Sequence, residues 1–241
     1  MSRTILPLIL LCLCTIVHGQ SQWELFGGPQ IARVGLNPSV PEGYQDPHES
    51  SFMNLDAASG WGMHLGASFR SNPDRTAFKG SLLINLQHYS AAYTNSYGYH
   101  GLGGSYSAAW TGTFDDRLTL LELPLQYSIE VHEHFMFDVG LSPWLLIAAE
   151  RRDHGTLTSR TWTMNGVVSQ STSTYDETRT RISSYHEYGI SGDARFTAVI
   201  RDHWTLALAT SVGFSPIYQD QSPLYGHHLL LRASIGYRLN A

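Results

Sequence analysis

The groups that could ionise, coordinate or attack are scattered in this sequence, not gathered into one short motif. His132-Glu133-His134 offers two imidazoles and a carboxylate, a set suited to a divalent metal. It has no partner cluster nearby in the sequence, however, and reads as a tight turn. His227-His228 falls in an alternating segment, where neighbouring side chains point to opposite faces. No nucleophile elbow, phosphate-binding glycine loop or H-E-x-x-H motif occurs, so no catalytic, cofactor-binding or metal-binding residue is assigned. What remains is a set of charged residues at alternate positions. Glu122, Asp138, Asp193, Arg195 and Arg232 are the principal members, with His64, Arg70, Glu130, Glu187 and Arg238 in the same register. Carboxylates and guanidiniums sharing one narrow space would form charge-assisted pairs.

The elements that must position these groups are strands. Leu121, Leu123, Leu125, Tyr127, Ile129 and Val131 alternate with Glu122, Gln126, Ser128 and Glu130. After a three-residue turn, Phe135, Phe137, Val139, Leu141, Pro143, Leu145 and Ile147 continue the pattern against Asp138, Gly140 and Ser142. Period two marks a strand with one apolar and one polar face. The same unit recurs on both sides, giving eight segments between about residues 22 and 239. The first, about 22–36, is the least regular, and Gly27-Gly28-Pro29 predicts a bulge there. Connections alternate between short (71–75, 132–134, 201–203) and long (about 37–59, 92–116, 150–184, 218–226). Strands of this length, short turns at one end and long loops at the other describe an eight-stranded antiparallel up-and-down transmembrane β-barrel, with periplasmic turns and extracellular loops.

Composition supports that reading over its rivals. Of the 241 residues only 15% are charged, 12% are aromatic and the mean hydropathy is −0.16. There is no run long enough for several membrane helices, and too many aromatics for a disordered chain. A net charge of −5 leaves no basic footprint for nucleic acid. A secreted soluble barrel would carry Lys and Glu on its polar face. Here that face holds Gly62, Gly66, Ser68, Gly140, Ser142, Ala207, Ser211, Gly213, Ser234 and Gly236, small residues suited to a crowded interior. Aromatics gather near the strand ends. Phe69, Phe135, Phe137, Phe196, Trp204 and Tyr237 mark the short-turn end, and Trp61, Tyr89, Tyr93, Trp110, Trp144, Tyr185, Tyr188, Phe214 and Tyr218 the other, as two interfacial girdles would. Arg3 followed by the apolar run 5–17 and by Val17-His18-Gly19 reads as a secretory signal peptide cut after Gly19. Both cysteines, Cys12 and Cys14, fall inside it, so residues 20–241 form a single cysteine-free barrel domain.

Two long connections carry recognisable chemistry. In 150–184, Asn165-Gly166 between β-favouring residues predicts a two-residue turn, so that strands five and six would run on as a protruding ribbon of about 40 Å. Trp162 lies beside that tip. In 92–116, Tyr97, Tyr99 and Tyr106 stand with Tyr93 and Trp110 among Gly and Ser, a low-charge aromatic surface that could bind protein or glycan.

The hairpin Leu120–Tyr127 (LLELPLQY) through Phe137–Trp144 (FDVGLSPW) resembles the central hairpin of the PorT-like bacterial outer-membrane β-barrel proteins. Glu122 and Pro124 fall on that family's Glu-Pro pair, and Gly140 near its glycine. Ser234–Leu239 (SIGYRL) is similar to its last strand, although this sequence ends Leu239-Asn240-Ala241 instead of in an aromatic. The resemblance implies an eight-stranded barrel with a role in surface transport or secretion. Taken together, the residues predict a monomeric, non-enzymatic, cofactor-free protein in outer-membrane lipid. Its lumen would be plugged by ion pairs, and its loops would meet a protein or glycan partner. A narrow transport or secretion-accessory barrel is the alternative, and a hydrolase at the outer rim a third.

Overall fold

The computed structural model describes residues 21–37, 49–55, 58–71, 76–101, 104–163, 166–180, 183, 185–201, 203–218 and 225–239. The expected signal peptide lies outside the described residues. Eleven strands follow one another: β1 (Ser21–Asn37), β2 (Glu49–Leu55), β3 (Ala58–Ser71), β4 (Thr76–Gly101), β5 (Gly104–Glu122), β6 (Leu125–His132), β7 (Phe135–Thr163), β8 (Gly166–Arg179), β9 (Tyr188–Ile200), β10 (Trp204–Gly213) and β11 (Tyr225–Leu239).

Eight staves built from these strands close a ring. β1 pairs with β3, β3 with β4, β4 with β5 and β6, these two with β7, then β9, β10 and β11 follow in turn. β11 returns to β1, from Trp23 opposite Leu239 to Asn37 opposite Tyr225, and every pairing is antiparallel. β5 and β6 are one stave interrupted at Leu123 and Pro124. The ladder survives there, because the Leu123 N–H donates to the Pro143 carbonyl (2.9 Å) and the Pro124 carbonyl accepts from the Ser81 N–H (2.9 Å).

The bulge expected at Gly27-Gly28-Pro29 does not form. Gly27 faces Ile235 and Gln30 faces Arg232, so the register between β1 and β11 is unbroken and pairing merely lapses at Gly28 and Pro29. Pro29 has no N–H to give. A Cβ on Gly28 would lie 2.1 Å from the Ala233 carbonyl oxygen, so glycine serves close approach of the two strands. The true irregularity is in β7. Thr119 of β5 faces Ala148 but Leu120 faces Leu146, which leaves Ile147 as an extra residue. From there on, odd-numbered residues of β7 face inward instead of even ones.

Parity sorts the wall as expected. Leu25, Ile31, Met63, Leu65, Leu82, Ile84, Leu86, Val139, Leu141, Leu206, Leu208, Leu231 and Ile235 all point outward, with Leu208 61% exposed. Glu24, Gln30, His64, Asn85, Glu122, Asp138, Asp193 and Arg232 point inward and are buried. The fold is inside out relative to a water-soluble protein. At the short-turn end the girdle is built from contacting rings: Trp23 and Phe69 (centroids 5.2 Å apart), Phe135 and Phe196 (5.6 Å), Trp204 and Tyr237 (5.2 Å). At the other end Trp61, Tyr188 and Phe214 point outward. Tyr89, Trp144, Tyr185 and Tyr218, expected in that girdle, are instead buried inside the barrel. Tyr89 and Trp144 hold the inward register of their strands, and the other two come from connecting segments that turn into the mouth.

The segments 37–59, 92–116 and 150–184 read as loops but contain much strand. Beyond the ring, β4, β5 and β7 run on and, with β2 and β8 on the flanks, form a sheet of order β2-β4-β5-β7-β8. Thr, Tyr, Ser and Trp dominate these stretches, and the β-branched and aromatic ones among them favour strands. The ribbon is thus part of a broad sheet. β7 and β8 pair from Arg151 opposite Arg179 to Thr163 opposite Gly166, a reach of about 40 Å at ~3.3 Å per residue. Gly166 has φ 111°, as a tight turn requires; Asn165 lies outside the described residues. β8 stands above β9 beside β7, but the chain leaves the sheet over 180–187 before re-entering it, so it is no unbroken continuation of the sixth stave.

An inside-out wall makes a sharp prediction. Ile84→Arg, in the middle of the apolar band, should reduce folding stability in lipid vesicles by about 2–4 kcal/mol. Denaturant titration reads the effect, and a loss near zero would mean that Ile84 does not face lipid.

Candidate functional site

The interior is packed in three layers. Nearest the short turns, Lys79 Nζ lies 2.8 Å from Asp138 Oδ2 and 3.7 Å from Glu24 Oε2. Arg195 Nη2 lies 2.9 Å from Glu24 Oε1, and its guanidinium sits 4.3 Å from the centre of the Phe26 ring. Ser68 and Thr205 also donate to Glu24. At the rim of this layer Arg70 and Arg238 both donate to the Met136 sulfur (3.3 and 3.1 Å).

In the middle layer Arg232 Nη2 contacts both oxygens of Glu122 (2.7 and 2.6 Å), and its Nη1 is 3.8 Å from Asp193 Oδ1. Arg232 Nε donates to Gln30 Oε1 at 3.4 Å. One guanidinium therefore serves two buried carboxylates. Of the five charged residues singled out in the sequence, Glu122, Asp193 and Arg232 meet. Asp138 and Arg195 do not join them, and take Lys79 and Glu24 as partners. Glu187 is exposed outside the barrel. Lys79, the only lysine of the sequence, and Glu24 are buried inside the barrel as well, although neither falls among the charged residues that alternation singled out. Lys79 stands in the polar register of its strand, and the irregular first strand hides Glu24.

The third layer is an apolar cork. Val34, Tyr89, Phe114, Leu118, Leu120, Trp144, Leu146, Tyr185, Ile217, Tyr218 and Leu230 pack as one buried cluster. Tyr185 and Tyr218 form a β-bridge to each other, with rings 5.3 Å apart. Asp116 is fully buried at this level and takes both arms of Arg151 (2.7 Å each) and the Tyr218 hydroxyl (2.7 Å). The Arg151 guanidinium also stacks 4.7 Å from the centre of the Phe114 ring. Arg151 points inward only because of the extra residue in β7. Below the cork, a void of about 20 Å³ lined by Phe26, His64, Gln126, Asp193, Arg195 and Arg232 is room for about one water molecule.

Above the barrel the sheet has two unlike faces. On the face continuous with the lumen wall, register aligns four rows across β4, β5, β7 and β8: Tyr93-Gly112-Gly155-Tyr175, Asn95-Trp110-Leu157-Ser173, Tyr97-Ala108-Ser159-Ser171 and Tyr99-Tyr106-Thr161-Ser169. In the lowest row Tyr93 and Tyr175 reach toward each other over the glycines until their hydroxyls meet at 2.5 Å. A Cβ on Gly112 or Gly155 would come within 2.6 or 2.7 Å of the Tyr175 hydroxyl, so both must be bare. Burial and this hydrogen bond push the Tyr93 phenol well above its ordinary range.

The opposite face is charged near the barrel. His88 and His154 lie 3.7 and 3.9 Å from Asp115, Arg117 lies 3.8 Å from Glu150, and Arg152 holds Asp176 through two bonds (2.9 and 2.7 Å) that keep this carboxyl below its usual range. Farther out this face is a hydroxyl array, with Thr94, Thr111, Thr156 and Thr174 aligned across the strands. Tyr97, Tyr99 and Tyr106 are thus brought together on the inner face with Trp110. Trp162 opposes Ser105 and lies by parity on the other face beside Arg160. Among the described residues no group of three or more His, Cys, Asp or Glu side chains is placed to hold a metal ion. The rings of His132 and His134 sit in an exposed turn, 6.2 Å apart.

These features define a closed, inverted, filled β-barrel that carries a projecting sheet. No family model and no curated protein sequence matches the chain. Among solved structures it is similar to Ail, the attachment invasion locus protein of Yersinia pestis (TM-score 0.46, 10% identity, covering 91% of this chain and 99% of that one). It is also similar to the translocator domain of the autotransporter NalP from Neisseria meningitidis (0.29, 10%, 97% and 94%). A third is the COG4313 outer membrane channel from Pseudomonas putida F1 (0.31, 8%, 92% and 97%). With scores this low, what the chain does is read from its own residues.

Two outcomes test the packing. Arg232→Met strands two buried carboxylates and should cost about 3–5 kcal/mol. Adding Glu122→Gln should recover part of the loss, and a double-mutant cycle in denaturant showing no coupling would contradict the pair. Gly155→Ala should displace Tyr175 and speed amide exchange along β8 while the barrel staves keep their protection.

Proposed function

We propose that this protein is a non-enzymatic outer-membrane β-barrel, exported by a cleaved signal peptide, that acts at the cell surface through the sheet projecting from its long-hairpin end. The filled lumen is the observation that carries this reading. Ion pairs occupy its lower two layers and an apolar cork the third, so the barrel offers neither a continuous aqueous path nor a cleft for substrate. The wall supports membrane residence, since an apolar exterior is costly in water and favourable in lipid. A short-turn end facing the periplasm and a long-hairpin end facing outward follow from export through a signal peptide.

The projecting sheet is then the part of the molecule with unsatisfied surface. Its exposed tyrosines and ranks of hydroxyls are of the kind that recognise a protein or a glycan, whereas the lumen is committed to packing itself. A role as a narrow transport or secretion-accessory barrel, as the PorT-like resemblance implies, would require the cork or the ion-pair layers to open.

Planar-bilayer recording separates the two readings. Purified protein should give no reproducible conductance steps; regular steps would overturn the plugged lumen. Removing residues 155–175 should abolish surface binding while heat-modifiable gel migration shows that the barrel still folds. Binding that survives this deletion would refute a role for the sheet.

A further inference from the structure

We infer that the inner face of the projecting sheet is a binding site for an uncharged carbohydrate chain. The inference rests on the surface-binding role proposed above and names the ligand class.

Among the described side chains of β4, β5, β7 and β8, the four inner rows from Tyr93-Gly112-Gly155-Tyr175 to Tyr99-Tyr106-Thr161-Ser169 contain no carboxylate, guanidinium, ammonium or imidazole. At the edge of the sheet Glu49 of β2 stands opposite Tyr99, at the end of the top row; other charges of this region lie off these rows. Arg151, Asp153, Glu177 and Arg179 belong to rows beneath the tyrosine bridge, and Asp115, Arg117, Glu150, Arg152 and Asp176 to the opposite face. An anionic ligand would find no cation in these rows.

The two halves of the surface differ in chemistry. The β4–β5 half presents the rings of Tyr99, 44% exposed, and Tyr106, 39% exposed, with the half-buried Tyr97 and Trp110 in the rows below. The β7–β8 half presents Ser159, Thr161, Ser169, Ser171 and Ser173. The Ser159 and Ser171 hydroxyls meet at 2.7 Å, and each keeps hydrogen-bonding capacity for a further partner. A sugar ring is the complementary object, because its C–H face stacks on an aromatic ring while its rim of hydroxyls both donates and accepts. Three row-to-row steps of two residues each make the surface about 20 Å long at ~3.3 Å per residue, which suits a chain and not a single ring. The Tyr93–Tyr175 bridge gives it a floor above the barrel mouth.

The test uses the full refolded barrel in detergent, titrated with maltohexaose, cellohexaose and xylohexaose as neutral probes and a heparin hexasaccharide as the anionic one. At least one neutral probe should bind, with affinity indifferent to added salt. Trp110→Ala and Tyr97→Ala should each weaken that binding about tenfold, equivalent to about 1.4 kcal/mol. Trp162→Ala, on the other face, should leave it unchanged. The inference is overturned if no neutral probe binds, or if binding is indifferent to Trp110→Ala and Tyr97→Ala in barrels that retain heat-modifiable migration. Salt-sensitive binding of heparin alone, lost on deleting 155–175, would sink the neutral-glycan assignment while leaving the surface-binding role intact. Binding of any probe that persists after the deletion would remove both.

Discussion

Lipid offers no hydrogen bonds, and every other feature of this barrel answers to that condition. An open edge in hydrocarbon would leave a row of N–H and C=O groups unpaired, each at a cost of several kcal/mol. Closure of β11 onto β1 removes the edge. The same requirement explains why a proline is tolerated within a stave. Pro124 has no donor, but its carbonyl and the Leu123 N–H still engage both neighbours, so the ladder loses little. Glycine at position 28 answers a related demand, since the closing strands come too near each other there for any side chain.

Closing with eight staves fixes the width of the lumen, and a lumen this narrow must be filled by what points into it. The filling is graded. Two of the buried cations each reach two carboxylates, Arg232 with Glu122 and Asp193 and Lys79 with Asp138 and Glu24. Such pairs add little stability over an apolar filling, but they fix which strand faces which, because moving a strand by one residue would expel the charges into lipid. Nearer the long hairpins, apolar side chains take over. Among the described residues the ion pair at that level, Asp116 with Arg151, is enclosed by Phe114, Tyr185 and Tyr218.

The barrel was legible in the sequence because lipid on one side and a crowded interior on the other impose opposite demands on alternate residues. Leu121 to Val131 against Glu122 to Glu130 needs no more than counting by two. Legibility ends where that counting does. The extra residue Ile147 in β7 reverses the faces, so Arg151 reads as part of a polar loop although it is the partner of buried Asp116. Tyr185 and Tyr218 carry no parity at all, since they enter the lumen from connecting segments, and an aromatic near a strand end looks the same whether it faces lipid or plugs the mouth. The partners of Asp138 and Arg195 were hidden for a different reason. Which inward charge meets which depends on register around the ring, and register is a property of pairs of strands, not of one.

Beyond the membrane the demands relax, and the sheet shows what replaces them. Water now reaches both faces, so alternation of apolar with polar residues gives way to Thr, Ser, Tyr and Gly, which is why these stretches read as loops. Strand order persists through two devices. Pairing continues upward from staves whose register the barrel has already set, so the entropy of aligning them is largely spent below. Tyr93 and Tyr175 then tie β4 and β8 together across two glycines. A sheet held in this way needs no apolar core of its own, and its inner face is free to present aromatic rings that would otherwise be consumed in packing. The barrel's rigidity is thus what allows the sheet to expose Tyr99 and Tyr106.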